Sequence, residues 1–272
     1  MLVTKDFVMI NFPKTGSSFV RHVTKQIYEA KESRLQRWWR EVSGASEPLQ
    51  ELILPKIDLK AHEEIRDQHG TWRQIPDQYR RGRKVITVTR NPLARYVSNY
   101  LFRWWREFPP TEEAEIANEF PSWPELSFEE YFRFTHRFPM RNQLNGIEPS
   151  VPLGIQTVQF LRFYFPRPYE LLERIDEAWI EQDRWKEELP PVVFLHQESL
   201  SEELKRFFTE LGIKDKWVSL IDGAKPVNVT KRKDGEKDFR SFYSDEFLRE
   251  VIQRDRLLFR IFPEYLPEGF SA

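Results

Sequence analysis

A chain of 272 residues with 40% apolar side chains can bury a substantial single core, and its 42 basic against 43 acidic groups exclude nucleic-acid binding through a general basic surface. It has no cysteine, which excludes disulfides and cysteine-metal clusters. The chain shows neither a signal peptide nor an apolar span long enough for a bilayer, so the expectation is a soluble cytoplasmic protein without a transmembrane anchor.

The first element is an apolar, strand-like run from 7 to 11, Phe7-Val8-Met9-Ile10. Pro13-Lys14-Thr15-Gly16-Ser17-Ser18 follows, and then Phe19, Val20, Val23 and Ile27 recur at helical spacing. Strand, tight loop and helix start is a layout that holds a phosphate: loop amides and the positive helix end grip oxygens, Ser17 and Ser18 add hydroxyl donors, and Lys14 supplies a mobile cation. Lysine precedes glycine here, the reverse of the nucleotide-triphosphatase order, which argues for a donor other than ATP. No metal-ligand spacing is present, so no metal is expected.

Residues 31–56, rich in charge and proline, read as an excursion from the core. His62, in Leu59-Lys60-Ala61-His62-Glu63-Glu64, is the first choice for a general base, because an imidazole can accept a hydroxyl proton while Glu63 or Glu64 orients or replaces it. His69, beside Gly70, and His196, at a strand exit, rank below it.

The β-branched run Val85-Ile86-Thr87-Val88-Thr89 reads as a central strand ending in Arg90. Asn91 is a natural helix N-cap and Pro92 a natural first residue of a helix carrying Leu93, Tyr96, Val97, Tyr100, Leu101 and Trp104. Ser98 falls two turns below the cap, so a guanidinium fork and a hydroxyl stand on adjoining walls suited to one phosphate. Residues 103–155 form a second excursion, and within it 106–125 reads as a lid-like stretch. Trp38, Trp39, Trp104, Trp105 and Trp123 offer broad faces for a sugar ring or an apolar alcohol as well as for the core.

A third strand is expected at 192–195, then a helix through Leu200, Leu204, Phe207, Phe208 and Leu211 that stops at Gly212. Lys231-Arg232-Lys233 lies in a polar loop, and a last helix carries Phe247, Leu248, Val251, Leu258 and Phe259. Strands separated by helical patterns predict an α/β fold: a P-loop-like three-layer sandwich with a central, mostly parallel sheet flanked by helices, in a single domain over 1–272.

The words PKTGSS at 13–18 and TRNPLARYVSNY at 89–100 closely resemble the sulfotransferases that use 3′-phosphoadenosine 5′-phosphosulfate (PAPS) and release 3′-phosphoadenosine 5′-phosphate (PAP). FLHQESL at 194–200 and YSDEFLREVIQRDRLLFRIFPEY at 243–265 extend the likeness, which is weakest from 103 to 155. The resemblance implies that Lys14, Thr15, Gly16, Ser17 and Ser18 bind the 5′-phosphosulfate, that Arg90 and Ser98 bind the 3′-phosphate, and that Arg232 and Lys233 close over the nucleotide. Lys14 would neutralise charge on the leaving phosphate, and His62 stands where carbohydrate-type members keep their catalytic histidine. Met140-Arg141-Asn142-Gln143-Leu144-Asn145-Gly146 is similar to the acceptor-side words of those members, so a carbohydrate hydroxyl is the expected acceptor and a small aromatic or lipid alcohol the alternative. A nucleotide kinase and a noncatalytic anion- or glycan-binding protein are the rival classes.

Overall fold

In the computed structural model the described residues are 1–44, 48–55, 66–224 and 238–272. They pack as two compact units. The first gathers the described residues of 1–57, 64–90 and 191–229, the second those of 91–190 and 230–272.

The first unit is built on β1 (Leu2–Thr4), β2 (Phe7–Met9), β3 (Leu49–Glu51), the small pair β4 (Leu54–Pro55) and β5 (Arg66–Asp67), β6 (Lys84–Thr89) and β7 (Val192–His196). Five of these form one sheet in the order β3-β1-β2-β6-β7. β2, β6 and β7 are parallel neighbours, with Met9 opposite Ile86 and Thr89 opposite His196. β1 is antiparallel to both β2 and β3, so it alone runs against the other four. The fold is therefore α/β, a central and mostly parallel sheet flanked by helices, as the alternation of elements in the sequence predicts.

Phe7, Met9, Ile86, Val88 and Leu195 point to one face, where they meet Val20, Val23, Ile27 and Tyr28 of α1 (Ser17–Lys31) and Leu204, Phe207 and Phe208 of the helix Leu200–Glu210. Residues of α1 at i, i+3, i+7 and i+8 supply that stripe, and each fully buried Val or Ile contributes about 1.5–3 kcal/mol. Phe7 packs edge-on to Phe207 at 5.3 Å between ring centroids. The alternate residues Val8, Ile10 and Thr87 are fully buried as well, which explains why the strands read as continuous apolar runs. The 200–210 helix ends as expected, with Gly212 in the left-handed region at φ +73°.

One expectation changes. The 31–56 segment is not wholly an excursion, because it carries α2 (Arg34–Ser43) and then β3, an edge strand of the main sheet. Three residues, Leu49-Gln50-Glu51, are too few to show a strand periodicity, and the backbone pairing with β1 decides the matter.

In its described residues the second unit is helical around an aromatic core. Tyr96 packs on Phe132 at 5.3 Å, Phe132 on Phe247 at 5.2 Å and Phe128 on Tyr243 at 5.0 Å. Much of 103–155 belongs to this core. The helix Glu113–Glu119 buries Ile116, Phe120 packs against Phe134 and Phe138, and Trp105 lies 5.3 Å from Trp123. The helix beginning at Pro92 ends at Phe102 rather than running through Trp104, because Arg103 turns left-handed at φ +57°. The last helical stretch is likewise two helices, Asp245–Arg254 and Arg256–Ile261, meeting at Asp255. The Asp255 carboxylate is fully buried and accepts from the Thr157 N–H, the Thr157 hydroxyl and the Tyr96 hydroxyl.

Candidate functional site

The C-terminal ends of β2, β6 and β7 lie side by side, and each delivers one piece of a polar cluster. In open α/β sheets this edge is where ligands bind. After β2 the chain enters the loop Phe12–Gly16, in which Lys14 and Gly16 both adopt positive φ, +63° and +95°. Left-handed residues of this kind turn successive peptide N–H groups toward one concavity. Gly16 is the N-cap of α1 and no side chain caps that end, so the first-turn amides and the positive helix pole face the loop.

One carbonyl holds the loop together. Thr15 Oγ1 donates to Phe12 O at 2.9 Å and Ser17 Oγ donates to the same oxygen at 3.2 Å. Each hydroxyl has a single proton, so these two are committed to the loop itself. Ser17 also presents its backbone N–H at the helix start. Ser18 lies half-buried in the first turn.

Arg90 follows the last residue of β6, and its Nη1 donates to Lys14 O at 3.3 Å. Burial, and then the Arg90 charge, lower the Lys14 pKa from its usual value to about 8. The Lys14 ammonium and the Arg90 guanidinium repel each other, and anionic groups bound beside them convert that repulsion into attraction. A phosphate or sulfate ester fits this donor set of amides, ammonium and guanidinium.

β7 supplies the third piece. A Cβ built on Gly16 would lie 3.2 Å from Gln197 Cγ and 3.5 Å from Leu200 Cδ2, so the β7 exit packs against the loop. His196 beside it is engaged by Glu203, which accepts from the His196 N–H at 2.7 Å and from Ser199 Oγ at 2.6 Å, with His196 Nδ1 3.1 Å away. Burial pushes the Glu203 carboxyl up, but these donors outweigh it and hold the group below its usual range. His196 therefore organises the strand exit.

His69, ranked below His62 from the sequence, is held against the start of the loop. Its Nδ1 lies 2.8 Å from Asn11 O, its N–H donates to Asp67 Oδ1 at 2.6 Å, and Asn11 Nδ2 donates to Gln68 O. Asn11 opens the donor loop, so the imidazole is fixed at the loop entrance. A carbonyl acceptor at Nδ1 selects the tautomer with the proton there, leaving the Nε2 lone pair to accept another. The fixing contact joins residues 58 positions apart, which no local pattern announces.

His62, Glu63, Glu64, Arg232 and Lys233 lie outside the described residues. Ser98 is half-buried on the helix Pro92–Phe102 of the second unit. His136 is internal, with burial lowering its pKa to about 4, and its Nε2 accepts from the Ile155 N–H. Trp105 is buried and Trp123 packs against it, whereas Trp38, Trp39 and Trp104 are exposed. In the Asn/Gln word, Asn142 donates to Pro110 O, Gln143 is buried and Asn145 ends a helix at φ +52°. Among the described residues no group of three His, Asp or Glu is placed to hold a metal ion.

No curated protein matches the chain. A solved structure with some similarity is that of mouse sulfotransferase SULT7A1 complexed with PAP, at 14% identity over 97% of this chain and 85% of that one, with a TM-score of 0.41. The family model for the sulfotransferase domain matches residues 4–143, just over half of the chain, and takes in β2, the donor loop, His69, β6, Arg90 and Ser98. The chain thus belongs to the sulfotransferase family and is a PAPS-dependent sulfotransferase.

Proposed function

We propose that this enzyme transfers the sulfuryl group of PAPS to a carbohydrate hydroxyl by in-line displacement, in a cytoplasmic setting. The observation that carries the donor half is Arg90 Nη1 donating to Lys14 O, which brings the guanidinium against the positive-φ loop that leads into the uncapped N-terminus of α1. Residues 14–18 hold the 5′-phosphosulfate, Arg90 and Ser98 the 3′-phosphate, and Arg232 and Lys233 close over the nucleotide. No metal takes part.

In the transfer, a bond forms between the acceptor oxygen and sulfur as the bond from sulfur to the bridging phosphate oxygen breaks. Negative charge grows on that bridging oxygen, and the Lys14 ammonium neutralises it, most strongly in the transition state. The acceptor proton passes to a general base. His69 Nε2 is the choice that geometry favours, and His62 is the choice that chain position favours. Support for a ring-bearing acceptor comes from Phe102, Trp104 and Phe108, exposed rings stacked in sequence with Trp104 and Phe108 4.0 Å apart.

Binding of PAP, AMP and ATP, followed by turnover with sugar, phenol and aliphatic alcohols, tests this reading. PAP should bind far more tightly than AMP, and Arg90→Ala should cost about 2–5 kcal/mol with PAP while barely altering AMP. Lys14→Ala should depress transfer more than PAP binding. Of His69→Ala and His62→Ala, the variant lacking the base should lose roughly 100-fold or more in transfer with PAP affinity kept. Equal affinity for PAP and AMP would overturn the donor assignment, and turnover confined to phenols or aliphatic alcohols would replace the carbohydrate.

A further inference from the structure

We propose that α2 is an interfacial helix that docks this enzyme onto an anionic membrane surface. Leu35, Trp38, Trp39 and Val42 stand at i, i+3, i+4 and i+7, a complete apolar stripe, yet they are 77%, 57%, 65% and 65% exposed. Nothing among the described residues covers that stripe. The helix is nevertheless sharply defined by its own ends. Ser33 Oγ accepts from the Gln36 N–H, Gln36 Oε1 accepts from the Ser33 N–H, and Gly44 closes the other end at φ +64°. Ten residues are too few for stability as an isolated helix in water, so local capping without packing suits a helix completed by a second surface.

Charge identifies the surface. The sequence of α2 contains three basic residues, Arg34, Arg37 and Arg40, against one acidic residue, Glu41, in a chain whose net charge is −1. Tryptophan beside arginine on a short amphipathic helix is the composition that settles at the headgroup level of a bilayer, with the apolar face inserted and the cations among anionic headgroups. A second copy of the chain fits less well, because its α2 would carry the same excess of basic residues. At about 15 Å the helix lies on a membrane without crossing it, and no described helix of the protein is long and apolar enough to cross. The proposal is independent of the donor assignment.

The test is co-sedimentation of the full chain with vesicles of phosphatidylcholine, alone or mixed with phosphatidylserine, read together with tryptophan emission. Binding should be on the order of 100-fold stronger to the anionic vesicles, from three basic residues, and should shift the emission to the blue. Trp38→Ala/Trp39→Ala should lower partitioning about tenfold or more without changing the melting midpoint, and Val42→Glu, one change at the far end of the stripe, should act likewise. Arg34→Gln/Arg37→Gln/Arg40→Gln should erase the preference for anionic lipid. Failure to sediment with anionic vesicles, or undiminished binding by both stripe variants, would overturn the proposal. So would a dimer in vesicle-free sedimentation velocity that these variants abolish, since it would give the stripe to a second copy.

Discussion

Gly16 answers two demands with one missing carbon. Its φ of +95° is a conformation that side chains resist by roughly 1–2 kcal/mol, and a Cβ there would press on Gln197 Cγ at 3.2 Å. Gly16→Ala should therefore lower stability by about 1–2 kcal/mol in urea unfolding, and PAP affinity should fall as well, because the loop amides turn away from the ligand. Unchanged PAP affinity in a destabilised variant would separate the loop's conformation from its binding. Lys14 accepts similar backbone strain at φ +63° although it is not glycine, which its ammonium explains: glycine would relax the backbone and forfeit the cation. The tight loop between strand and helix was legible from residue types and order. The commitment of the Thr15 and Ser17 hydroxyls to Phe12 O was not, because a hydroxyl's partner is set by three-dimensional closure.

Elements with chemical end signals were readable from the chain. Asn91 accepts from the Leu93 and Ala94 amides ahead of Pro92, as its position predicts, and so fixes where β6 stops and Arg90 begins its turn. Gly212 ends its helix for an equally local reason. The break at Asp255 had no such signal: the apolar spacing from Phe247 to Phe259 passes straight through it. Its carboxylate instead serves Thr157 and Tyr96, partners that are distant in sequence. Burial raises the Asp255 pKa while those donors lower it, and burial prevails. Asp255→Ala strands three donors in a dry interior and should cost about 3–5 kcal/mol, whereas Asp255→Asn keeps one acceptor and should cost less. Chemical denaturation of the two variants checks the order, and an alanine variant as stable as asparagine would show that the donors find other partners.

For the whole molecule, a net charge of −1 means that no broad field draws the donor in, so its attraction must come from cations brought together locally. That concentration leaves a pH signature. With the Lys14 pKa lowered to about 8 in the free protein, its ammonium persists at pH 7 and is largely lost by pH 9. The sign differs for the two states. In the free protein the depressed pKa means that holding the ammonium detracts from stability at neutral pH, a cost that fades as pH rises from about 8 toward the ordinary 10.5. A bound phosphate favours the ammonium, so PAP affinity should fall over the same interval, by up to about tenfold at one unit above the pKa and by less to the extent that solvent screens the half-buried group. At 100 times its Kd, PAP should add about 2.7 kcal/mol at pH 7. That corresponds to a rise in melting midpoint of roughly 5–10 °C for a chain of this size. At the same PAP concentration the rise should shrink by pH 9, while the midpoint without ligand gains from Lys14 deprotonation. Lys14→Met should flatten the PAP-dependent rise between the two pH values. A rise in the native protein that is constant from pH 7 to 9 would remove Lys14 from donor recognition.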